Sequence, residues 1–197
     1  MRTIAILCVV LAAFYVYSEA CRCETKHPQK QFCEADFVIK AEIVTRKRAV
    51  YPGKSPGVVY KVKILKTYKG AEYLGRGNFQ NVYTPSTACD ANLDVGKTFI
   101  ITGSIQGSKW KTSVCEWNTE TSALSQYQKN GLNLGFYNNG CTCEIELCGG
   151  SQCGQPTPDK CVAFNKDSDF TCFFRENACK REQQGCDWHR DISICSK

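Results

Sequence analysis

Fifteen cysteines in 197 residues constrain this chain more than any other feature. Cys8 lies in an apolar N-terminal run, and the rest form an even set at positions 21, 23, 33, 89, 115, 141, 143, 148, 153, 161, 172, 179, 186 and 195. Structural zinc sites need paired CxxC knuckles, and the nearest motifs are CxC, at Cys21/Cys23 and Cys141/Cys143. Full pairing into seven disulfides in an oxidising compartment is therefore expected. The chain's two histidines make a His-ligated catalytic metal site of its own hard to build, and no resident cofactor is expected.

The N-terminus agrees with that compartment. Arg2 precedes an almost wholly apolar run over 4–17, and Ser18-Glu19-Ala20 puts small residues at the two positions a signal peptidase reads. Residues 1–20 are predicted to be a signal peptide cleaved after Ala20, leaving Cys21 as the first mature residue. The run is about 14 residues, short of the roughly 20 a spanning helix needs, and no second such run follows. A secreted, extracellular protein with no membrane anchor is expected.

The cysteines are unevenly spread: five lie between 21 and 115, and nine crowd into 141–195. That asymmetry predicts two domains, 21–141 and 142–197. In the first, β-branched and partly alternating runs at 37–44, 58–65, 98–102 and 110–114 are separated by turn residues, which predicts a small antiparallel barrel. The run at 58–64 alternates best, with Tyr60, Val62 and Ile64 on one face and Lys61 and Lys63 on the other. Residues 51–57 read as a turn-rich loop, and 121–130 as a short helix stopped by Gly131. Past Cys141 the apolar content thins, and Gly149-Gly150, Pro156 and Pro158 interrupt it. Disulfides must replace part of the missing core there.

Several fragments occur in a telling order: Cys21-Arg22-Cys23, His27-Pro28-Gln29, Phe32-Cys33, Ala35-Asp36, Lys69-Gly70, Ala88-Cys89, Leu93-Asp94, Gly140-Cys141, Ala178-Cys179, Gly185-Cys186 and Trp188. Together they resemble the tissue inhibitors of metalloproteinases along the whole mature chain. The resemblance implies a mainly β fold, a netrin-like module on a five-stranded OB barrel with short helices, followed by a small disulfide-rich subdomain. It also implies pairs that spacing alone leaves open: Cys21 with Cys89, Cys23 with Cys115, and Cys33 with Cys141. For the second domain it suggests Cys143 with Cys186, Cys148 with Cys153, and Cys161 with Cys179. Cys172 and Cys195 are left to pair, an addition to the family's six-cysteine pattern, and other registers near the C-terminus stay open.

The function implied is inhibition of zinc metalloendopeptidases of the matrix metalloproteinase type. By the resemblance, the α-amino nitrogen and carbonyl oxygen of a terminal Cys21 would chelate the catalytic zinc of the partner protease. Cys21, Arg22, Cys23, Glu24 and Thr25, with Ser86, Thr87, Ala88 and Cys89, would form the contact ridge. Read without the resemblance, Cys21 and Cys23 simply staple one end of a barrel. Arg22 departs from the small Thr or Ser that vertebrate members carry, and Glu24-Thr25 replaces the commoner Ser-Pro, so altered selectivity or weaker inhibition is expected.

Other functions fare less well. HExxH, GxSxG and paired His-Cys signatures are absent, so an enzyme is not expected. A net charge of +6 is too diffuse to argue for nucleic acid. Arg46-Lys47-Arg48 with Lys54, Lys61, Lys63, Lys66 and Lys69 form either a solvated strand face or a basic face for sulfated polysaccharide. The second option supports an alternative: a netrin-like matrix or heparin-binding protein with weak or no inhibition.

Overall fold

The structure is a computed structural model that describes residues 21–50, 56–75, 77–85, 88–149, 153–155, 157–164, 170–190 and 195. The expected signal segment 1–20, most of the turn-rich loop at 51–57, and Ser86 and Thr87 lie outside the described residues.

Two long strands dominate. β1 (Phe37–Val50) pairs antiparallel with β2 (Pro56–Lys69) on one side and with β4 (Thr98–Gln106) on the other. β2 pairs with β3 (Phe79–Pro85), β3 with β5 (Lys109–Lys111), and β5 with β4, so the order β1-β2-β3-β5-β4 returns to β1 as a five-stranded ring. This is an OB-like barrel. A short β6 (Thr119–Glu120) extends β4. Alternation fills the barrel as the sequence predicts: Tyr60 and Val62 are fully buried, while Lys61 and Lys63 are exposed. Phe37, Ile39, Ala41, Ile43, Val82, Phe99, Ile101 and Trp110 complete that interior.

Three expectations are corrected. The barrel is not wholly antiparallel, because β3 and β5 run parallel, a register that closes the ring across the excursion through β4. The run at 110–114 is a strand only to Lys111, and Val114 sits in a turn, 46% exposed. The helix expected at 121–130 is instead α2 (Gln126–Asn133); Ser125 and Gln128 form a reciprocal capping box, which is why it begins there rather than at Thr121. Gly131 does not stop this helix. It lies inside it, where an added Cβ would come within 2.9 Å of the Tyr137 ring, so glycine there permits close packing.

A second core lies outside the barrel. α1 (Pro28–Glu34), α2 and the single turn α3 (Phe136–Asn139) cover the outward-facing Val38 and Ile100, burying Phe32, Trp117, Leu124, Tyr127, Leu132, Tyr137 and Ala178. Beyond Cys141, β7 (Glu144–Cys148) pairs parallel with β8 (Lys160–Phe164), and β9 (Cys179–Glu182) pairs antiparallel with β10 (Gly185–Trp188). α4 (Phe170–Glu176) contributes the fully buried Phe173. The apolar clusters here are small and partly built from cystine: Cys143, Cys161 and Cys179 in one, Cys195 in the other. The structure joins Cys143 to Cys186, Cys148 to Cys153, Cys161 to Cys179, and Cys172 to Cys195. Among the described residues no helix is long and apolar enough to cross a membrane.

Candidate functional site

The segment 21–27 belongs to no helix or strand and has no ladder of its own, so side chains must hold it. At its far end Pro28 occupies the first turn of α1, where a missing N–H costs nothing, and His27 Nδ1 accepts the Gln29 backbone N–H at 3.1 Å. At its near end Cys21 is bonded to Cys89 and Cys23 to Cys115, each with Cα atoms 5.1 Å apart. The two disulfides lie side by side, with Cys21 Sγ 3.6 Å from Cys115 Sγ. All these sulfurs are in disulfides, so the cluster of Cys21, Cys23 and Cys115 offers no thiolate to a metal.

The loops that receive the disulfides are themselves tied together. Val114 N–H donates to the Cys89 carbonyl at 3.0 Å, Cys115 N–H to Ser113 Oγ at 3.3 Å, and Asn118 Nδ2 to the Ser113 carbonyl at 2.7 Å. Three pieces of chain therefore meet at one barrel end: 21–25, 88–89 and 113–116. Arg22, Cys23, Glu24, Thr25 and Ala88 are exposed, while Cys21 and Cys89 are half-buried. Of the predicted ridge, Ser86 and Thr87 fall outside the described residues. Sequence reasoning missed Val114 and Glu116, which flank Cys115; their only signal was their place beside a paired cysteine.

Charge on the flank is partly compensated. Lys26 Nζ lies 2.7 Å from Glu34 and 3.8 Å from Glu24, and the bond to Glu34 is the main cause of its raised pKa. Burial pushes the Glu116 carboxyl up, opposed by Lys26. His27 is fully buried against Phe173, Phe174 and Trp188, and burial lowers its pKa to about 3 despite the nearby backbone of Asn177 and Phe173. It is a neutral core residue that caps a helix.

Three of the cations named as a solvated or basic strand face are engaged within the chain, while Lys47, Arg48, Lys61 and Lys63 are exposed. Arg46 pairs with Asp90 at 2.6 Å, Lys66 donates to Asn133 Oδ1 at 2.7 Å, and Lys69 donates to the Cys33 carbonyl at 2.6 Å. Lys54 lies outside the described residues. Lys61 sits 4.9 Å from the Phe79 ring centroid, and Lys109 sits 5.3 Å from that of Tyr83.

A contact reaching the other half of the chain also escaped the sequence. Gln29, fully buried, donates through Nε2 to the Cys179 carbonyl at 2.7 Å and accepts the Cys179 N–H through Oε1 at 2.7 Å. Its carboxamide serves the edge of β9 as a neighbouring strand's peptide group would. With the disulfide between Cys33 and Cys141, it fixes α1, and so the base of the 21–27 segment.

The chain is similar in sequence to known metalloproteinase inhibitors. Metalloproteinase inhibitor 2 of Homo sapiens is 33% identical over 199 aligned residues, covering 92% of this chain and 87% of the relative. The Rattus norvegicus protein of the same name is 32% identical over 199 residues, covering 92% and 87%. Metalloproteinase inhibitor 3 of Gallus gallus is 32% identical over 180 residues, covering 88% and 83%. The model of the family described as tissue inhibitor of metalloproteinase matches residues 19–188, and the chain belongs to that family.

Proposed function

We propose that the mature chain, beginning at Cys21, is a secreted inhibitor of zinc metalloendopeptidases and not an enzyme. One observation carries the reading: two adjacent disulfides hold an exposed terminal segment, 21–25, against the loops at 88–89 and 113–116. A free terminus is normally mobile and loses entropy on entering a cleft, and here that freedom is removed before binding. In this account residues 21–141 carry inhibition and 142–197 modulate partner choice.

The protease's zinc keeps one open position, where a water is activated for peptide hydrolysis. Once residues 1–20 are removed, Cys21 offers an α-amino nitrogen and a carbonyl oxygen that close a five-membered chelate ring on that metal. Its sulfur is committed to Cys89 and takes no part. The amino group must be neutral to bind, and its reference pKa is roughly 7.7–8.0, so acidification weakens the complex. Arg22 enters the primary specificity pocket, where a guanidinium keeps its hydration cost low only if the pocket is deep, wet or acidic. Glu24, Thr25, Ala88 and Cys89, with Ser86 and Thr87, fill the cleft on either side.

A second reading, a matrix protein that binds sulfated polysaccharide, is favoured by exposed Lys61 and Lys63 and by the lysine–aromatic pairs at Phe79 and Tyr83. Titrating the Cys21-start protein against a panel of matrix metalloproteinases, alongside heparin chromatography, separates the two. Stoichiometric inhibition supports the first. Salt-sensitive heparin retention without inhibition of any enzyme replaces it with the second.

A further inference from the structure

The loop that carries Cys89 is held by an arrangement that the disulfides do not supply. The backbone N–H groups of Ala91, Asn92 and Leu93 all donate to side chains: Thr84 Oγ1 at 3.0 Å, Asp90 Oδ1 at 3.2 Å and the Tyr60 hydroxyl at 3.2 Å. Asn92 has a φ of 50°, in the left-handed region that a non-glycine residue holds only with such support. Tyr60 reaches this loop from inside the barrel wall, where its ring is fully buried. Its hydroxyl also accepts from Arg46 Nε at 3.1 Å and donates to Asp90 Oδ1 at 3.2 Å. One donor and two acceptor positions are thereby used, which saturates the group. Arg46 Nη2 closes the circuit on Asp90 Oδ2 at 2.6 Å.

A disulfide fixes one cysteine only as well as its partner is fixed. Cys89 is one of the two anchors that place Cys21, the other being Cys115 through Cys23, and Asp90 is the next residue in the chain after Cys89. We propose that Arg46, Tyr60 and Asp90 form a positioning cluster that sets Cys89 and, through the disulfide, the direction in which Cys21 presents its donors to a protease. The inference rests on the inhibitor reading above. None of the three side chains needs to touch the enzyme for this role, because the cluster acts by removing loop freedom before binding.

The test uses the mature protein, with Tyr60→Phe keeping the ring in the barrel and Arg46→Met keeping the stem of an exposed side chain. Ile39→Val, in the same core, serves as a control with a comparable loss of melting temperature. Amide exchange is measured at Ala91, Asn92, Leu93 and Val114, and the inhibition constant against a matrix metalloproteinase catalytic domain. Tyr60→Phe should speed exchange at these amides and weaken inhibition about tenfold, Arg46→Met should do the same to a smaller extent, and Ile39→Val should do neither. Two results overturn the inference while leaving the inhibitor reading standing: exchange unchanged in both variants, or an inhibition constant for Tyr60→Phe equal to that of Ile39→Val. If the unsubstituted mature protein inhibits nothing, the inhibitor reading itself fails, and the positioning role fails with it.

Discussion

Replacing Gln29 by Leu tests how firmly the N-terminal helix is fastened to the C-terminal part of the chain. Leucine has nearly the same bulk but removes the bonds to both backbone groups of Cys179 and the longer one, at 3.3 Å, to the Tyr137 carbonyl. Gln29 and Cys179 are both fully buried, so water cannot take over those bonds. Two stranded backbone groups at about 1–3 kcal/mol each, less a modest gain from an apolar side chain, give a loss of about 3 kcal/mol. For a protein of about 150–250 residues, that lowers the melting temperature by roughly 6–12 °C. Differential scanning calorimetry with all disulfides intact measures the shift, and amide exchange at Cys179 reports whether the loss is local. A melting temperature within about 2 °C of the parent, with Cys179 still protected, would refute the claim that this carboxamide fastens α1 to β9.

Two further predictions concern the terminal segment. The pKa of His27 is about 3 in the folded chain against an ordinary 6.5. The unfolded chain therefore binds the extra proton between those values, and stability is full above about pH 6.5 and falls as the pH drops toward 3, by on the order of 5 kcal/mol. Urea unfolding at pH 7 and pH 4 should show a markedly smaller drop in a His27→Asn variant, which keeps a capping oxygen; equal drops would contradict the assignment. Arg22→Thr should tighten inhibition about tenfold for proteases with a shallow apolar primary pocket, since a guanidinium no longer has to be desolvated. Inhibition constants across a panel decide this, and a Thr variant that binds no enzyme more tightly would show that Arg22 does not enter the pocket.

Legibility in the sequence followed the strength of local signals. The alternation of Tyr60, Val62 and Ile64 around Lys61 and Lys63 announced a half-buried strand, and the turn residues between such runs announced a β fold. β3 gave no such announcement: Phe79 is 54% exposed, and only Val82 and Thr84 along it are fully buried, so its apolar pattern does not mark an inner face. Its parallel pairing with β5 depends on how the whole ring closes, which no local window contains. Gly131 reads as a helix stop by propensity, yet tertiary packing on Tyr137 makes it an interior helix residue. At the candidate site the cysteines were visible and their partners were implied by family resemblance, but the bonds made by the side chains of Gln29, Tyr60 and Asp90 carried no signal. Their roles come from meeting backbone groups far away in sequence, such as Cys179 for Gln29 and Leu93 for Tyr60.

The central claim is that the α-amino group of Cys21 is itself an inhibitory donor. The most direct measurement is a paired titration of one matrix metalloproteinase with the protein beginning at Cys21 and with the same protein carrying one added Ala before it. Both must be folded and fully disulfide-bonded. The account predicts stoichiometric inhibition by the first and its loss in the second, because the added peptide bond consumes the nitrogen donor while leaving the ridge at 88–89 and 113–116 unchanged. Equal inhibition by both forms would contradict it.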